Sequence, residues 1–120
     1  MAATASISVT GTVTGLPTGS RVIGPMTIAS VAAVGSVTDL ILASGANTIT
    51  VPTTATAAII QFAVGSVTTK TLKGIGADTG IVVAKTGTVV IHFDTTAVPA
   101  SFVINSSALD TGLYTEITFV

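Results

Sequence analysis

The sequence has very little charge, no cysteine and no tryptophan. Its 120 residues include 4 basic side chains, 5 acidic side chains and one histidine, so 8% of the chain is charged. Four basic residues are too few for a nucleic-acid surface, because such binding needs several phosphate contacts. The absence of cysteine excludes a disulfide scaffold and a zinc site with thiolate ligands. Nine charges also leave the folded surface poorly protected against association with other protein.

The chain also lacks the long apolar runs that a membrane-spanning helix requires. Mean hydropathy is +0.88, and residues 40–69 carry no charge. However, Gly45, Pro52 and Gly65 interrupt that stretch, and no run reaches the roughly 20 apolar residues of a spanning helix. Four Phe and one Tyr are too few for the aromatic girdles of a membrane barrel. Residues 1–6 resemble no signal peptide, and we expect a protein assembled in a cytoplasm.

What the chain has in abundance is β-branched residues. Thr, Val and Ile together account for 51 of the 120 residues, and such side chains pack well on a pleated sheet. The spacing of apolar residues predicts no helix, and residues 6–14 alternate apolar and polar side chains with period two. The sequence therefore predicts an all-β fold. We expect strands over residues 6–14, 21–30, 36–43, 48–51, 57–64, 67–73, 81–85, 88–94, 101–105 and 113–120.

Several of these strands carry further signals. Pro25 lacks an N–H group, so its strand is expected to lie at an edge or to bulge there. The apolar run 40–42 predicts a strand that is covered on both faces, and residues 57–64 predict a central strand. Strands 81–85 and 88–94 are expected to form a hairpin around Gly87. Residues 31–34 are ambiguous.

Short strands separated by Gly, Pro, Ser and Asn are typical of a β-sandwich or a barrel. We expect one domain over residues 1–120 with about 8–10 short antiparallel strands. Residues 1–15 have a polar outer face of Ser and Thr, which leaves two alternatives open. They form either an ordinary first strand or an extended arm that adds to the sheet of a neighbouring molecule.

Two places in the sequence bear on chemistry. His92 and Asp94 are expected to share one face of a strand, with Phe93 on the other face. Such a pair lacks the third ligand of a metal site and the partner of a catalytic base, so a solvent-facing strand is the favoured interpretation. The glycine-rich loop 74–80 precedes another strand rather than a helix, which favours a hairpin connection over a phosphate-binding loop. Asp78 alone is a weak basis for a calcium site.

The remaining conspicuous side chains have structural interpretations as well. Lys70 and Lys73 are three apart in a strand and should point to opposite faces, so they form no basic patch. Lysine on a strand also commonly prevents the pairing of an exposed strand edge with another chain. Tyr114 is the aromatic residue with a polar group, which leaves a sugar-binding site weakly supported. We expect no enzyme and assign no catalytic, cofactor-binding or metal-binding residue. The phenylalanines, expected in the core, are Phe62, Phe93, Phe102 and Phe119.

Several segments together resemble the small jelly-roll or β-sandwich structural proteins of tailed bacteriophages. The resemblance covers about residues 47–120 and lies in a pattern of strands and turns. It implies that the fold is a β-sandwich of jelly-roll type. It also implies a virion component without catalytic residues, such as a capsid decoration or cementing protein, and it favours a trimer. The segments that carry it are NTITVP at 47–52, AAIIQF at 57–62, LKGIGADTGI at 72–81, SFVIN at 101–105 and EITFV at 116–120.

This resemblance leads to a first hypothesis about function. We expect a virion structural protein that binds itself and a major capsid or other virion protein, but neither nucleic acid nor membrane. The scarcity of charge agrees with this hypothesis, because buried charges are costly in an interface. A head–tail or tail accessory protein, a carbohydrate- or cell-surface-binding β module, and a pilin-like secreted subunit remain alternatives.

Overall fold

The computed structural model describes residues 6–29 and 35–120, and the chain is all-β, as predicted. This described part holds no helix, and therefore no helix that is long and apolar enough to cross a membrane. The ambiguous residues 31–34, and residues 1–5 of the segment expected to be either a first strand or an arm, lie outside the described residues. The strands are β1 (Ser6–Val13), β2 (Arg21–Ala29), β3 (Ser36–Leu40), β4 (Gly45–Thr50), β5 (Ala57–Phe62), β6 (Lys70–Lys73), β7 (Ile81–Val83), β8 (Gly87–His92), β9 (Ser101–Ser106) and β10 (Thr115–Phe119).

Strands β1 and β2 form a two-stranded antiparallel sheet of their own. The register runs from Ser6 opposite Ala29 to Val13 opposite Arg21. It shifts between Val9 and Gly11, a position that faces the Gly24–Pro25 step of β2. The irregularity predicted at Pro25 is confirmed, because proline has no N–H group for the ladder. Residues 6–13 are paired with β2, and in the described chain neither strand of this hairpin pairs with another sheet.

The other eight strands form two four-stranded antiparallel sheets. One has the order β3-β10-β5-β8 and the other has the order β4-β9-β6-β7. Four of the pairings are nested along the chain: β3 with β10, β4 with β9, β5 with β8, and β6 with β7. The pairings β5–β10 and β6–β9 join these four strand pairs into two sheets. Strand β5 therefore has a neighbour on each side and is a central strand, as predicted.

Both four-stranded sheets contribute side chains to one hydrophobic core. Ile60 and Ile117 come from the first sheet and Ile104 from the second, and all three are fully buried. The four phenylalanines predicted for the core are confirmed there. The core comprises Leu42, Ile49, Val51, Ala55, Ala58, Ile60, Phe62, Phe93, Phe102, Ile104, Ile117 and Phe119.

The prediction that both faces of the third strand are covered is wrong. Among the strands that the structure describes, β3 pairs only with β10, and its residues 36–39 are exposed. The apolar run 40–42 that suggested burial extends past the end of the strand. Its last residue, Leu42, reaches the core from the following loop, while Ile41 is 38% exposed.

The predicted hairpin around Gly87 is also wrong. Strand β7 pairs with β6 in one sheet, whereas β8 pairs with β5 in the other. Gly87 does adopt a positive φ of 100°. A glycine with positive φ marks a change of chain direction, but it does not distinguish a tight hairpin from a crossing between sheets.

The glycine-rich loop 74–80 connects β6 and β7, which confirms the predicted hairpin connection. Gly80 has a φ of 76°, and a Cβ atom there would lie 2.5 Å from the backbone oxygen of Leu72. We expect Gly80→Ala to lower the free energy of unfolding by about 1–3 kcal/mol, because the conformation is strained for any L side chain. Chemical denaturation measures this change.

Gly76→Ala in the same loop is the matched control. Gly76 has no positive φ, and a Cβ atom added there would meet nothing within 4 Å. Its effect is expected to stay within about 0.5 kcal/mol. Equal losses in the two variants would contradict the assignment of strain to Gly80.

Candidate functional site

The described surface exposes several large apolar side chains at the edges of the sheets. In the edge strand β7, the neighbouring residues Ile81 and Val82 are 71% and 67% exposed. Neighbours on a strand point to opposite faces, so β7 has apolar side chains uncovered on both faces. Val37 of the edge strand β3 and Val22 of the hairpin are also exposed. Apolar exposure at free strand edges favours contact with further protein.

Very few charges separate these apolar side chains. Of the nine charged residues, Lys70 and Asp110 are buried, which leaves seven charged side chains for an accessible surface of 6973 Å². A compact monomer of this mass is expected to expose about 5,900 Å². The larger observed area agrees with a hairpin, β1–β2, that pairs with no other sheet among residues 6–29 and 35–120. The surface is therefore both extensive and weakly charged.

An open groove of about 470 Å³ lies beside the glycine-rich loop. The two charged side chains that line the groove form hydrogen bonds with the backbone of the loop. Lys73 Nζ donates to the backbone oxygen of Gly76 at 3.4 Å, and Asp78 Oδ2 accepts from the backbone N–H of Ile75 at 2.9 Å. Asp78 thus stabilises the turn. The groove lining comprises Leu72, Lys73, Gly74, Asp78, Gly80, Ile81, Ile91 and Phe102.

His92 and Asp94 lie on the solvent side, and Phe93 between them is buried, as the alternation predicts. Asp94 accepts hydrogen bonds at Oδ1 from the hydroxyl of Thr96 at 2.7 Å and from its backbone N–H at 2.9 Å. These bonds lower the pKa of Asp94. The carboxylate therefore stabilises a local turn. In the described residues no group of three or more His, Asp or Glu side chains is placed to hold a metal ion.

Lys70 is the residue whose environment differs most from expectation. It belongs to β6, which lies between β9 and β7, and its side chain is fully buried. The interpretation that this lysine protects an exposed strand edge against pairing with another chain is therefore wrong. Its Nζ lies 3.1 Å from Asp110 Oδ2 and 5.7 Å from the centre of the Phe62 ring. A buried lysine requires such a partner, because an isolated charge in the interior is very costly.

Hydroxyl groups complete the surroundings of the ion pair. Lys70 Nζ donates to Ser66 Oγ at 2.7 Å, to the backbone oxygen of Thr68 at 3.1 Å and to Thr68 Oγ1. Asp110 Oδ1 accepts from Ser66 Oγ at 2.9 Å and from Thr68 Oγ1 at 2.8 Å. Ser106 Oγ donates to Thr68 Oγ1 at 3.0 Å. We call these five residues the buried polar cluster: Ser66, Thr68, Lys70, Ser106 and Asp110.

The cluster keeps Asp110 ionised. Burial by itself would raise the pKa of this carboxyl group, because it disfavours the charged form. The hydrogen bonds from Thr68, Lys70 and Ser66, together with the positive charge of Lys70, outweigh burial and lower the pKa of Asp110. The backbone is held as well, since Asp110 N–H donates to the oxygen of Leu42 and the Asp110 oxygen accepts from Leu113 N–H.

Sequence reasoning missed this cluster because the usual pattern is inverted here. Ser66, Thr68 and Lys70 are buried, whereas Val67 between them is 79% exposed. An alternation of polar and apolar residues normally predicts that the apolar set faces the core. The available signal was the period-two spacing of Ser66, Thr68 and Lys70. However, Asp110, the ionic partner of Lys70, lies far along the chain.

Comparisons with known proteins add no assignment to these features. The chain matches no family model, and neither the curated proteins nor the solved structures include a match. Interpretation of the surface and of the buried polar cluster therefore rests on their own chemistry.

Proposed function

We propose that this protein is a non-enzymatic structural protein of a virus particle, a capsid decoration or cementing protein of the tailed-bacteriophage type. It acts by binding copies of itself and a major capsid or other virion protein, and it is assembled in the host cytoplasm. The observation that carries the proposal is the exposed apolar surface of β7, β3 and the β1–β2 hairpin, which bears few charges. Apolar surface gains about 25 cal/mol per Å² when another protein covers it.

The proposal includes a β-sandwich of jelly-roll type for the eight strands β3–β10. The order of the strands supports it. Counted from β3, the first strand pairs with the eighth, the second with the seventh, the third with the sixth and the fourth with the fifth. This nested pairing arises when one long antiparallel pair of chain segments folds over into two sheets. The eight-stranded jelly roll, with its two Greek keys, has this arrangement.

Sedimentation of the purified chain over a range of concentrations tests the proposal. We expect a closed homo-oligomer, with a trimer favoured, because closure covers apolar edges that a monomer leaves open. Val82→Asp is expected to weaken assembly by at least tenfold, since a charge in an interface is desolvated without a partner. Thr86→Asp, an exposed position in the neighbouring loop, is the matched control.

Binding to virion particles from which this protein has been removed forms the second half of the test. A chain that stays monomeric at high concentration and does not bind such particles would contradict the proposal. A particle reconstruction then separates a head location from a head–tail or tail location.

A carbohydrate- or cell-surface-binding module is the second candidate function. Tyr114 supports it, because this residue is 61% exposed while the phenylalanines are buried. An exposed aromatic ring with a hydroxyl group suits stacking on a sugar together with a hydrogen bond. Glycan binding that Tyr114→Ala abolishes would favour this function over the first.

A further inference from the structure

The buried polar cluster holds an amine and a carboxyl group in position to react with each other. Lys70 Nζ lies 3.1 Å from Asp110 Oδ2, and the two side chains are 0% and 1% exposed. This distance places Nζ one bond away from contact with Cγ, the carbon that it would attack, and the fold has already brought the two groups together, which removes much of the entropic cost of their meeting. The strand pairings of β6 fix Lys70, and the backbone hydrogen bonds to Leu42 and Leu113 fix Asp110.

The two oxygens of the Asp110 carboxyl group have different environments. Oδ1 accepts hydrogen bonds from Ser66 Oγ at 2.9 Å and from Thr68 Oγ1 at 2.8 Å. Among the described residues, Oδ2 has no hydroxyl donor, and it lies 3.1 Å from Lys70 Nζ. Two fixed donors on one oxygen stabilise the negative charge that develops there when a nucleophile adds to the carboxyl carbon. The arrangement leaves Oδ2 as the oxygen that departs.

We propose that Lys70 and Asp110 condense into an intramolecular amide bond, which joins β6 covalently to the segment between β9 and β10. A proton first moves from Lys70 Nζ to Oδ2, which gives a neutral amine and a carboxylic acid. The amine lone pair then forms the Nζ–Cγ bond, and the C=O electron pair moves to Oδ1, where the hydroxyls of Ser66 and Thr68 hold it.

Collapse of this intermediate completes the reaction. A second proton passes from Nζ to the Oδ2 hydroxyl group, the Cγ–Oδ2 bond breaks, and one water molecule leaves. The C=O bond to Oδ1 forms again. An ammonium and a carboxylate have become an amide and water, without a change of oxidation state and without a further reactant.

The environment favours this product over the ion pair. Two ions buried out of water carry a desolvation penalty that their attraction offsets only in part. The amide has no net charge, so its formation removes that penalty. Its oxygen keeps the hydroxyl donors of Ser66 and Thr68, and its N–H replaces the ammonium as a donor within the buried polar cluster.

Intact-mass spectrometry of the purified full-length protein tests the proposal. The expected mass is that of the sequence less one water molecule. After proteolysis, fragmentation spectra are expected to show one branched peptide that links Lys70 to Asp110, with no cleavage by trypsin after Lys70. The full sequence mass in protein that has been folded and incubated for days would overturn the proposal.

Two lysine variants locate the loss of water. Lys70→Arg keeps a cation in the pair but lacks a reactive amine, so it is expected to show the full sequence mass. Lys85→Arg makes the same change at an exposed lysine and is expected to retain the loss. Loss of water that persists in Lys70→Arg would place it at another aspartate, as a cyclic imide, and would overturn the proposal. The branched peptide of the unsubstituted protein decides the matter if Lys70→Arg does not fold.

Discussion

Replacing Lys70 with Met is expected to lower the free energy of unfolding by about 3–5 kcal/mol, because Asp110 is left as a buried charge without a cation. The Met side chain retains the contact with the Phe62 ring, where Lys70 Nζ lies 5.7 Å from the ring centre. If the two groups form an ion pair, the loss therefore reports electrostatics rather than packing. It is a large share of the 5–15 kcal/mol that stabilises a typical domain. Denaturant titration of the two proteins measures it.

Two further proteins control this experiment. Lys85→Met removes an exposed lysine and is expected to change stability by less than about 0.5 kcal/mol. The double variant Lys70→Met with Asp110→Leu removes both charges and is expected to recover most of the loss. A loss below about 1 kcal/mol in the single variant would contradict the assignment of a fully desolvated pair.

The dependence on pH distinguishes an ionic pair from an amide link. The folded-state pKa of Asp110 is lowered, so an ionic pair contributes fully above the ordinary pKa of 3.8 and loses its contribution as pH falls through the lower value. The stability of the wild type relative to the double variant Lys70→Met with Asp110→Leu, in which neither position titrates, should then fall in acid. An amide does not titrate, so with a covalent link this relative stability is expected to stay constant as the pH falls.

Replacing Ile117 with Ala is expected to lower the free energy of unfolding by about 2–5 kcal/mol, because it leaves a cavity in the core. Ile117 is fully buried and lies on β10, opposite Thr38 of β3 and Ile60 of β5. Its side chain meets the core that both four-stranded sheets share. Thermal and denaturant unfolding measure the change.

Smaller substitutions set the scale for this result. Ile117→Val removes one methyl group and is expected to cost about 0.5–1.5 kcal/mol. Val64→Ala, at a residue that is 91% exposed, is expected to stay within about 0.5 kcal/mol. A loss for Ile117→Ala no greater than that for Val64→Ala would contradict the packing of the two sheets around this residue.

Local signals were sufficient for much of the fold. The alternation over 6–14 and the bulge at Pro25 correspond to β1 and β2, and the apolar run 57–64 corresponds to the central strand β5. Strands are predictable in this way because side-chain alternation and turn residues act within a few positions. The same local reasoning failed at Gly87, where the turn carries the chain from one sheet to the other.

The sequence by itself determined the all-β class, the approximate positions of most strands, the phenylalanine core and the scarcity of charge. Only the tertiary structure decided which strands pair and where Lys70 lies. Strand pairing depends on contacts between segments that are far apart in the sequence. No local pattern specifies which of these segments meet when the loop between them closes. A lysine is buried only where a carboxylate reaches it, and Asp110 comes from beyond β9 to meet Lys70 on β6. The chemistry of the buried polar cluster therefore arises from the fold rather than from any motif.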